Sequence, residues 1–224
     1  MNGKWCQPYE APFESAYYDG DFTFTPDGKT LLISSQRPVD PDDDQEVRSS
    51  IWKTDYSNGQ WSDPVLLDYP YDATRHESYP YIAEDGTLYL FCRDREGYGK
   101  SDMYTAELID GTYPRLENMG SVINSPEHEW DPYIAPDEST MIYCSTKPGG
   151  YGRDDFYITF RKKDGHWTEA VNMGDKINSA GSENRPYVTL DGKYFFYTSD
   201  QSGPRHIYWV DAKIIDSYRP VGLE

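Results

Sequence analysis

Residues 25–38, Thr25-Pro26-Asp27-Gly28-Lys29-Thr30-Leu31-Leu32-Ile33-Ser34-Ser35-Gln36-Arg37-Pro38, carry the pattern on which the chain is built. An Asp-Gly turn stands between two short apolar runs, the signal of a β-hairpin. The turn recurs as Glu84-Asp85-Gly86, Pro136-Asp137-Glu138 and Leu190-Asp191-Gly192, so the anchoring aspartates 27, 85, 137 and 191 lie 58, 52 and 54 residues apart. A period of this size is that of a four-stranded propeller blade.

Working outward, each repeat offers the same four strands. The first is read at residues 22–25, 80–83, 132–135 and 186–189, and the second at 30–34, 88–92, 141–144 and 194–198. The third carries an apolar–aromatic pair: Ile51-Trp52, Met103-Tyr104, Phe156-Tyr157 and Ile207-Tyr208. The fourth opens on a turn and an aromatic: Asn58-Gly59-Gln60-Trp61, Asp110-Gly111-Thr112-Tyr113 and Asp164-Gly165-His166-Trp167. The last repeat stops near Asp211, and the strand it lacks appears at the other end as Asn2-Gly3-Lys4-Trp5, followed by Pro8. Pairing the two ends would close a ring and remove a sheet edge.

The expected fold is therefore all-β: a closed β-propeller with four blades of four antiparallel strands, the N-terminal strand completing the last blade. Residues 1–224 form one domain, with blade 1 at about 20–68, blade 2 at about 78–120, blade 3 at about 130–174, and blade 4 at about 184–215 plus 2–11. The rival arrangement is an open arc of a larger propeller, which would leave a hydrophobic edge and a half-buried blade face.

Composition agrees with an all-β chain: aromatics are 16%, with 21 Tyr, and turns are served by 18 Gly and 16 Pro. Three cysteines (6, 92 and 144) give no disulfide framework. Cys92 and Cys144 read as the same second-strand position, where Ser34 and Thr198 stand in the other repeats, so they are expected to be small buried residues rather than nucleophiles. The net charge of −18 argues against nucleic acid and anionic membrane as partners and makes cations the natural counterpart. Mean hydropathy is −0.84, and no apolar run is long enough to span a membrane. The N-terminus lacks the apolar core of a signal peptide. As written the chain reads as cytoplasmic, or as periplasmic or secreted if it is a mature exported domain. A monomer is expected.

The repeats resemble a known family. Residues 25–38, the Gly-rich stretches Arg95-Glu96-Gly97-Tyr98-Gly99-Lys100-Ser101-Asp102-Met103-Tyr104 and Lys147-Pro148-Gly149-Gly150-Tyr151-Gly152-Arg153-Asp154-Asp155-Phe156-Tyr157, and the linkers Ile123-Asn124-Ser125 and Ile177-Asn178-Ser179 look like TolB-type, WD-repeat-like β-propeller repeats. The resemblance implies the fold over nearly the whole chain. It leaves function open, because such repeats serve in protein-binding scaffolds, in non-catalytic propellers of peptidases and in some carbohydrate-active enzymes. Two repeats depart from it. Blade 1 carries an acidic insertion at residues 39–47, and blade 4 replaces the Gly-rich loop with Ser202-Gly203-Pro204-Arg205.

Residues just before each first strand should converge on the channel mouth. Eight positions before each turn aspartate stand Asp19, Glu77, Glu129 and Glu183. Nine before, two repeats place His76 and His128; six before stand Asp21, Tyr79, Asp131 and Arg185. The carboxylates suggest an axial divalent cation, Ca²⁺ if oxygens alone bind and Mn²⁺ or Zn²⁺ if the histidines join. The alternative is structural: each carboxylate caps backbone N–H groups of a neighbouring loop. Trp130, unmatched in the other repeats, could stack on a sugar or peptide. His76-Glu77-Ser78-Tyr79-Pro80 and His128-Glu129-Trp130-Asp131-Pro132 lack the second histidine of a zincin helix, and there is no nucleophile elbow or phosphate loop. The expected function is a non-catalytic binding or scaffold propeller that takes a ligand or protein partner at the channel face. The alternatives are a carbohydrate-active hydrolase or lyase using the same acids and histidines, which needs two carboxylates at a defined separation, and a protein-interaction module.

Overall fold

A computed structural model describes residues 7, 10–13, 15–40, 48–94 and 96–223. Four antiparallel sheets follow one another along the chain. Blade 1 is β1 (Asp19–Phe24), β2 (Thr30–Ser35) and β3 (Ser50–Ser57), with β4 (Gln60–Trp61) and β5 (Val65–Leu66) both on β3. Blade 2 is β6 (His76–Ile82), β7 (Leu88–Arg93), β8 (Asp102–Ala106) and β9 (Glu117–Asn118). Blade 3 is β10 (Glu129–Ile134), β11 (Thr140–Ser145), β12 (Asp155–Phe160) and β13 (Val171–Asn172). Blade 4 is β14 (Glu183–Val188), β15 (Tyr194–Ser199) and β16 (His206–Asp211).

The hairpin turns form for local reasons. Asp27 Oδ1 accepts from Lys29 N at 3.0 Å and from the Thr25 hydroxyl at 2.7 Å, while Gly28 takes φ +68°. This is the left-handed conformation that glycine tolerates best. Blade 3 has Glu138 at that position, at φ +56°, and its carboxylate is held by Tyr89 and Arg161. The fourth strands lie further along than the sequence places them. The Gly-aromatic turns are small hairpins at the end of the third strand, and β5, β9 and β13 are only two residues long.

The core lies between blades. Each of the first three sheets turns one face forward onto the next blade. Leu32 and Ile51 of blade 1 meet Leu88 and Leu90 of blade 2. Tyr89, Phe91 and Met103 of blade 2 meet Met141 and Tyr143 of blade 3, and Ile142, Phe156 and Ile158 of blade 3 meet Phe195 and Tyr197 of blade 4. The repeated aromatics pack as well: Trp61 against Phe13, Phe24 and Tyr56, Tyr113 in the first of these clusters and Trp167 against the second.

The joints repeat one hydrogen bond. Glu77 N donates to Ser49 O, Glu129 N to Ser101 O and Glu183 N to Asp154 O, each at 2.9 Å. The Gly-rich loops lie on the following linkers so closely that a Cβ on Gly99 would strike the Ser125 carbonyl oxygen, and one on Gly152 that of Ser179. Asp102 and Asp155 fold these loops by accepting from the N–H groups of residues 98 and 99, and 151 and 152.

Among the described residues no such bond links Asp19 to Arg205, the equivalent pair between blades 4 and 1. The N-terminal strand expected to complete blade 4 falls largely on residues 1–6, 8 and 9, outside the described residues. After β16 the chain forms a 3₁₀ helix, Ala212–Tyr218, which the sequence reading did not anticipate. Asp211 caps it, and Ile214, Ile215 and Tyr218 seal the blade 3–4 cluster. Among the described residues no helix is long and apolar enough to cross a membrane.

Candidate functional site

Each first strand breaks register near its start, between Gly20 and Phe22, Ser78 and Tyr81, Trp130 and Tyr133, and Asn184 and Tyr187. In blades 2, 3 and 4 the break holds a proline, Pro80, Pro132 or Pro186, which has no N–H for the ladder. The residue at each break takes a left-handed φ: Asp21 +43°, Tyr79 +55°, Asp131 +50° and Arg185 +57°. None is glycine, so each conformation costs on the order of 1–3 kcal/mol.

The four bulges bring these side chains into one cavity of about 830 Å³. They form its polar end, and its walls include Phe22, Phe24, Tyr81, Tyr133 and Tyr187. The polar end ties the blades together. Ser78 Oγ donates to Asp21 Oδ2 at 3.3 Å, Tyr79 N to Ser34 Oγ at 3.0 Å, and Arg185 N to Asp131 Oδ2 at 3.1 Å. The Tyr79 phenol interacts with both carboxylates and with the Arg185 guanidinium. Burial raises the carboxyl of Asp131 to about 7, and burial also raises that of Asp21. Arg185 is exposed to the cavity, so the site presents one open guanidinium, two carboxyls raised by burial and a wall of aromatic faces.

The carboxylates eight positions before the turns are placed differently. Glu129 accepts from Ser125 N (2.9 Å), Ser125 Oγ (2.6 Å) and Ser145 Oγ (2.8 Å). Glu183 repeats this with Ser179 N (2.9 Å), Ser179 Oγ (2.6 Å) and Ser199 Oγ (2.6 Å). Both fold the Ile-Asn-Ser linkers, whose asparagines Asn124 and Asn178 bond the backbone of the preceding blade. Asp19 bonds Arg37 and Ser15.

Glu77 departs from the pattern. It accepts from Tyr69, and its Oε1 has no partner. Burial raises its carboxyl to about 7. The register explains one missing donor. The blade 2 turn is one residue shorter, so Cys92 faces Glu77 where Ser145 faces Glu129 and Ser199 faces Glu183. Cys92 is thus equivalent to those serines and to Ser35, not to Cys144 as the sequence alignment had it. Both cysteines are buried, and burial pushes both thiols up.

Among the described residues no three His, Cys, Asp or Glu side chains are grouped to hold a metal ion. His76 packs on Phe91, and His128 accompanies Trp130 and Ser101. Burial lowers the pKa of both histidines. Trp130 is wedged between the two clusters flanking blade 3 and does not line the cavity. A second hollow, of about 930 Å³ between blades 2 and 3, includes Tyr89 and Arg161, whose polar groups are spent on Glu138.

No protein-family model matches the chain, and neither does any curated protein. Solved structures do. A TolB protein of Agrobacterium tumefaciens is 18% identical, with TM-score 0.60 over 92% of this chain and 61% of its own. A puromycin-hydrolyzing peptidase of Mycobacterium tuberculosis is 13% identical (TM-score 0.54; 92% of this chain, 31% of its own). An alpha-L-arabinofuranosidase of Lactobacillus brevis is 12% identical (TM-score 0.54; 85% of this chain, 70% of its own). The chain therefore spans less than two thirds of the TolB protein and about a third of the peptidase. At these identities the likeness is one of fold. The chain shares the β-propeller fold of these structures, here in four blades whose four bulged first strands meet at one cavity.

Proposed function

We propose that the chain is a non-catalytic binding propeller that takes a ligand or a segment of a protein partner in the channel cavity. One observation carries this reading: four non-glycine residues in left-handed conformations, at the same position of every repeat, meet in a single cavity. Strain repeated in this way is maintained where it aims side chains at something. Packing and capping duties fall to other residues, such as Glu129 and Glu183. The size suits a small ligand or a short chain segment. In this reading Arg185 supplies the counter-charge that the sequence suggested a divalent cation would provide.

Saturation-transfer NMR tests the reading, using arabino- and xylo-oligosaccharides and a set of short synthetic peptides. The expected result is that at least one probe binds the wild type and loses binding in Arg185→Ala and Asp131→Asn, with both variants folded. Absence of binding across both panels, or binding that survives both substitutions, contradicts it.

A second reading, a carbohydrate-active hydrolase, is favoured by Asp131 alone. Its carboxyl, raised to about 7, is where a general acid would be, with Asp21 as its companion. Release of sugar from the arabino- or xylo-oligosaccharides, abolished by Asp131→Asn, would favour it.

A further inference from the structure

The channel cavity is lined in three tiers of four, one residue from each repeat. Six positions before each turn aspartate lies the polar floor, Asp21, Tyr79, Asp131 and Arg185. Four before stand Thr23, Tyr81, Tyr133 and Tyr187. Directly before it, at the opposite end, Pro26, Glu84, Pro136 and Leu190 form the rim, with Leu190 90% exposed. From Asp21 to Pro26 the strand takes five steps, about 16 Å at ~3.3 Å per residue. That depth suits an extended chain of about four residues entering end-on. In the middle tier the Tyr81 and Tyr133 rings lie edge to face at 6.0 Å, and the Tyr81 and Tyr187 phenols both act on that of Tyr133. Among the described residues no protein group bonds these three hydroxyls, which leaves them to meet amide groups passing through.

We infer that the channel, if it is the binding cavity proposed above, receives the free amino terminus of a peptide chain, its ammonium between Asp21 and Asp131 and its first carbonyl on Arg185. Charge selects a cation. The cavity is lined by three carboxyl side chains, Asp21, Glu84 and Asp131, against the one guanidinium, on a chain of net charge −18. A ligand carboxylate or phosphate would face all three acids, and a saccharide brings no charge to set against them. Asp131 is only 4% exposed, and burial raises both floor carboxyls, a cost that a cation arriving between them relieves. Arg185 then decides which cation. It has five N–H donors, and its side chain bonds the Tyr79 phenol. An alkyl ammonium, such as a lysine side chain, would lie beside this like charge and offer it no acceptor. A peptide amino terminus carries an acceptor next to its charge, because the first carbonyl follows the ammonium-bearing carbon directly. The residues behind it would pass the phenols and lay apolar side chains against Pro26, Pro136 and Leu190 at the rim.

Calorimetric titration at pH 7.5 tests this with a panel of apolar tetrapeptides, each made with free termini, with an acetylated amino terminus and with an amidated carboxyl terminus. The amide of N-acetyl-lysine and xylo-oligosaccharides complete the set. At least one tetrapeptide is expected to bind, with its amidated form within about threefold of the free one. Acetylation should weaken it at least ~30-fold, the loss expected when one partner of a buried charge pair is removed. Asp131→Asn should weaken the free peptide and leave the acetylated form unchanged; Arg185→Ala should weaken the free peptide as well. Acetylated peptide, lysine derivative or saccharide binding as tightly as the free peptide overturns the inference, as does binding lost on amidation. If such binding still depends on Arg185 and Asp131, the cavity remains the binding site and only its ligand is reassigned. No binding by any probe overturns both.

Discussion

Glu77 shows what one residue contributes when a repeat breaks its own rule. Its counterparts Glu129 and Glu183 each take three donors, two from the linker serine four residues earlier and one from a strand serine; Glu77 takes one, from Tyr69, because Ala73 stands at the linker position and Cys92 at the strand position. The folded-state carboxyl is raised from 4.5 to about 7, so this residue's contribution is fully present below pH 4.5 and is lost as pH rises through about 7. The loss is on the order of 3 kcal/mol by linkage. Urea unfolding measured between pH 5 and 8 should show this decline, and Glu77→Gln should flatten it. Cys92→Ser restores the strand donor and should raise stability at pH 8 by about 1–2 kcal/mol. An unchanged or lowered midpoint would contradict this view of the pair. The repeat spacing picked out glutamates that stand at equivalent places near the start of β6, β10 and β14. It could not show which way they point, because direction depends on the bulge two residues later, and it mispaired Cys92 and Cys144 because a one-residue deletion in a turn leaves no mark in an ungapped count.

At the scale of elements, the strands, the turns and their fourfold recurrence were legible, since hairpin chemistry is local. The bulges were legible only in part. A proline within an otherwise regular first strand, as in Glu129-Trp130-Asp131-Pro132-Tyr133, signals a broken ladder, but blade 1 has Phe22 at that position and bulges all the same. The joints were not legible, because backbone atoms of distant segments make them. Gly99 and Gly152 are their most sensitive points. A methyl group at either must displace a backbone carbonyl of the next blade, and Gly152→Ala should cost about 1–3 kcal/mol. Gly165, at φ +86° in an open turn, tells steric cost from conformational cost: Gly165→Ala also destabilises, but its φ is the cause and no neighbour is struck. Amide exchange should therefore show linker 177–179 loosened by the first substitution and not by the second. Equal protection of the linker in both variants would rule out the latch.

For the whole molecule, the stacking of sheets fixes how stability and binding are divided. Apolar burial lies between blades, polar strain lies at the cavity, and the glutamate caps join the two. Substitutions in the cavity should therefore be tolerated. Tyr187→Ala, at a half-exposed wall position, should lower stability by less than about 1 kcal/mol, whereas Phe156→Ala between blades 3 and 4 should cost about 3–5 kcal/mol. Because the Asp131 carboxyl lies near 7, affinity for a cavity ligand should change between pH 6 and 8, and Asp131→Asn should remove that dependence. The most direct measurement is an amide chemical-shift map recorded while a binding saccharide or peptide is titrated into the labelled protein. The account predicts that the largest shifts fall at residues 20–22, 78–81, 130–133 and 184–187, the four bulges. Shifts concentrated on the Gly-rich loops or on the outer strands, with the bulges silent, would contradict it.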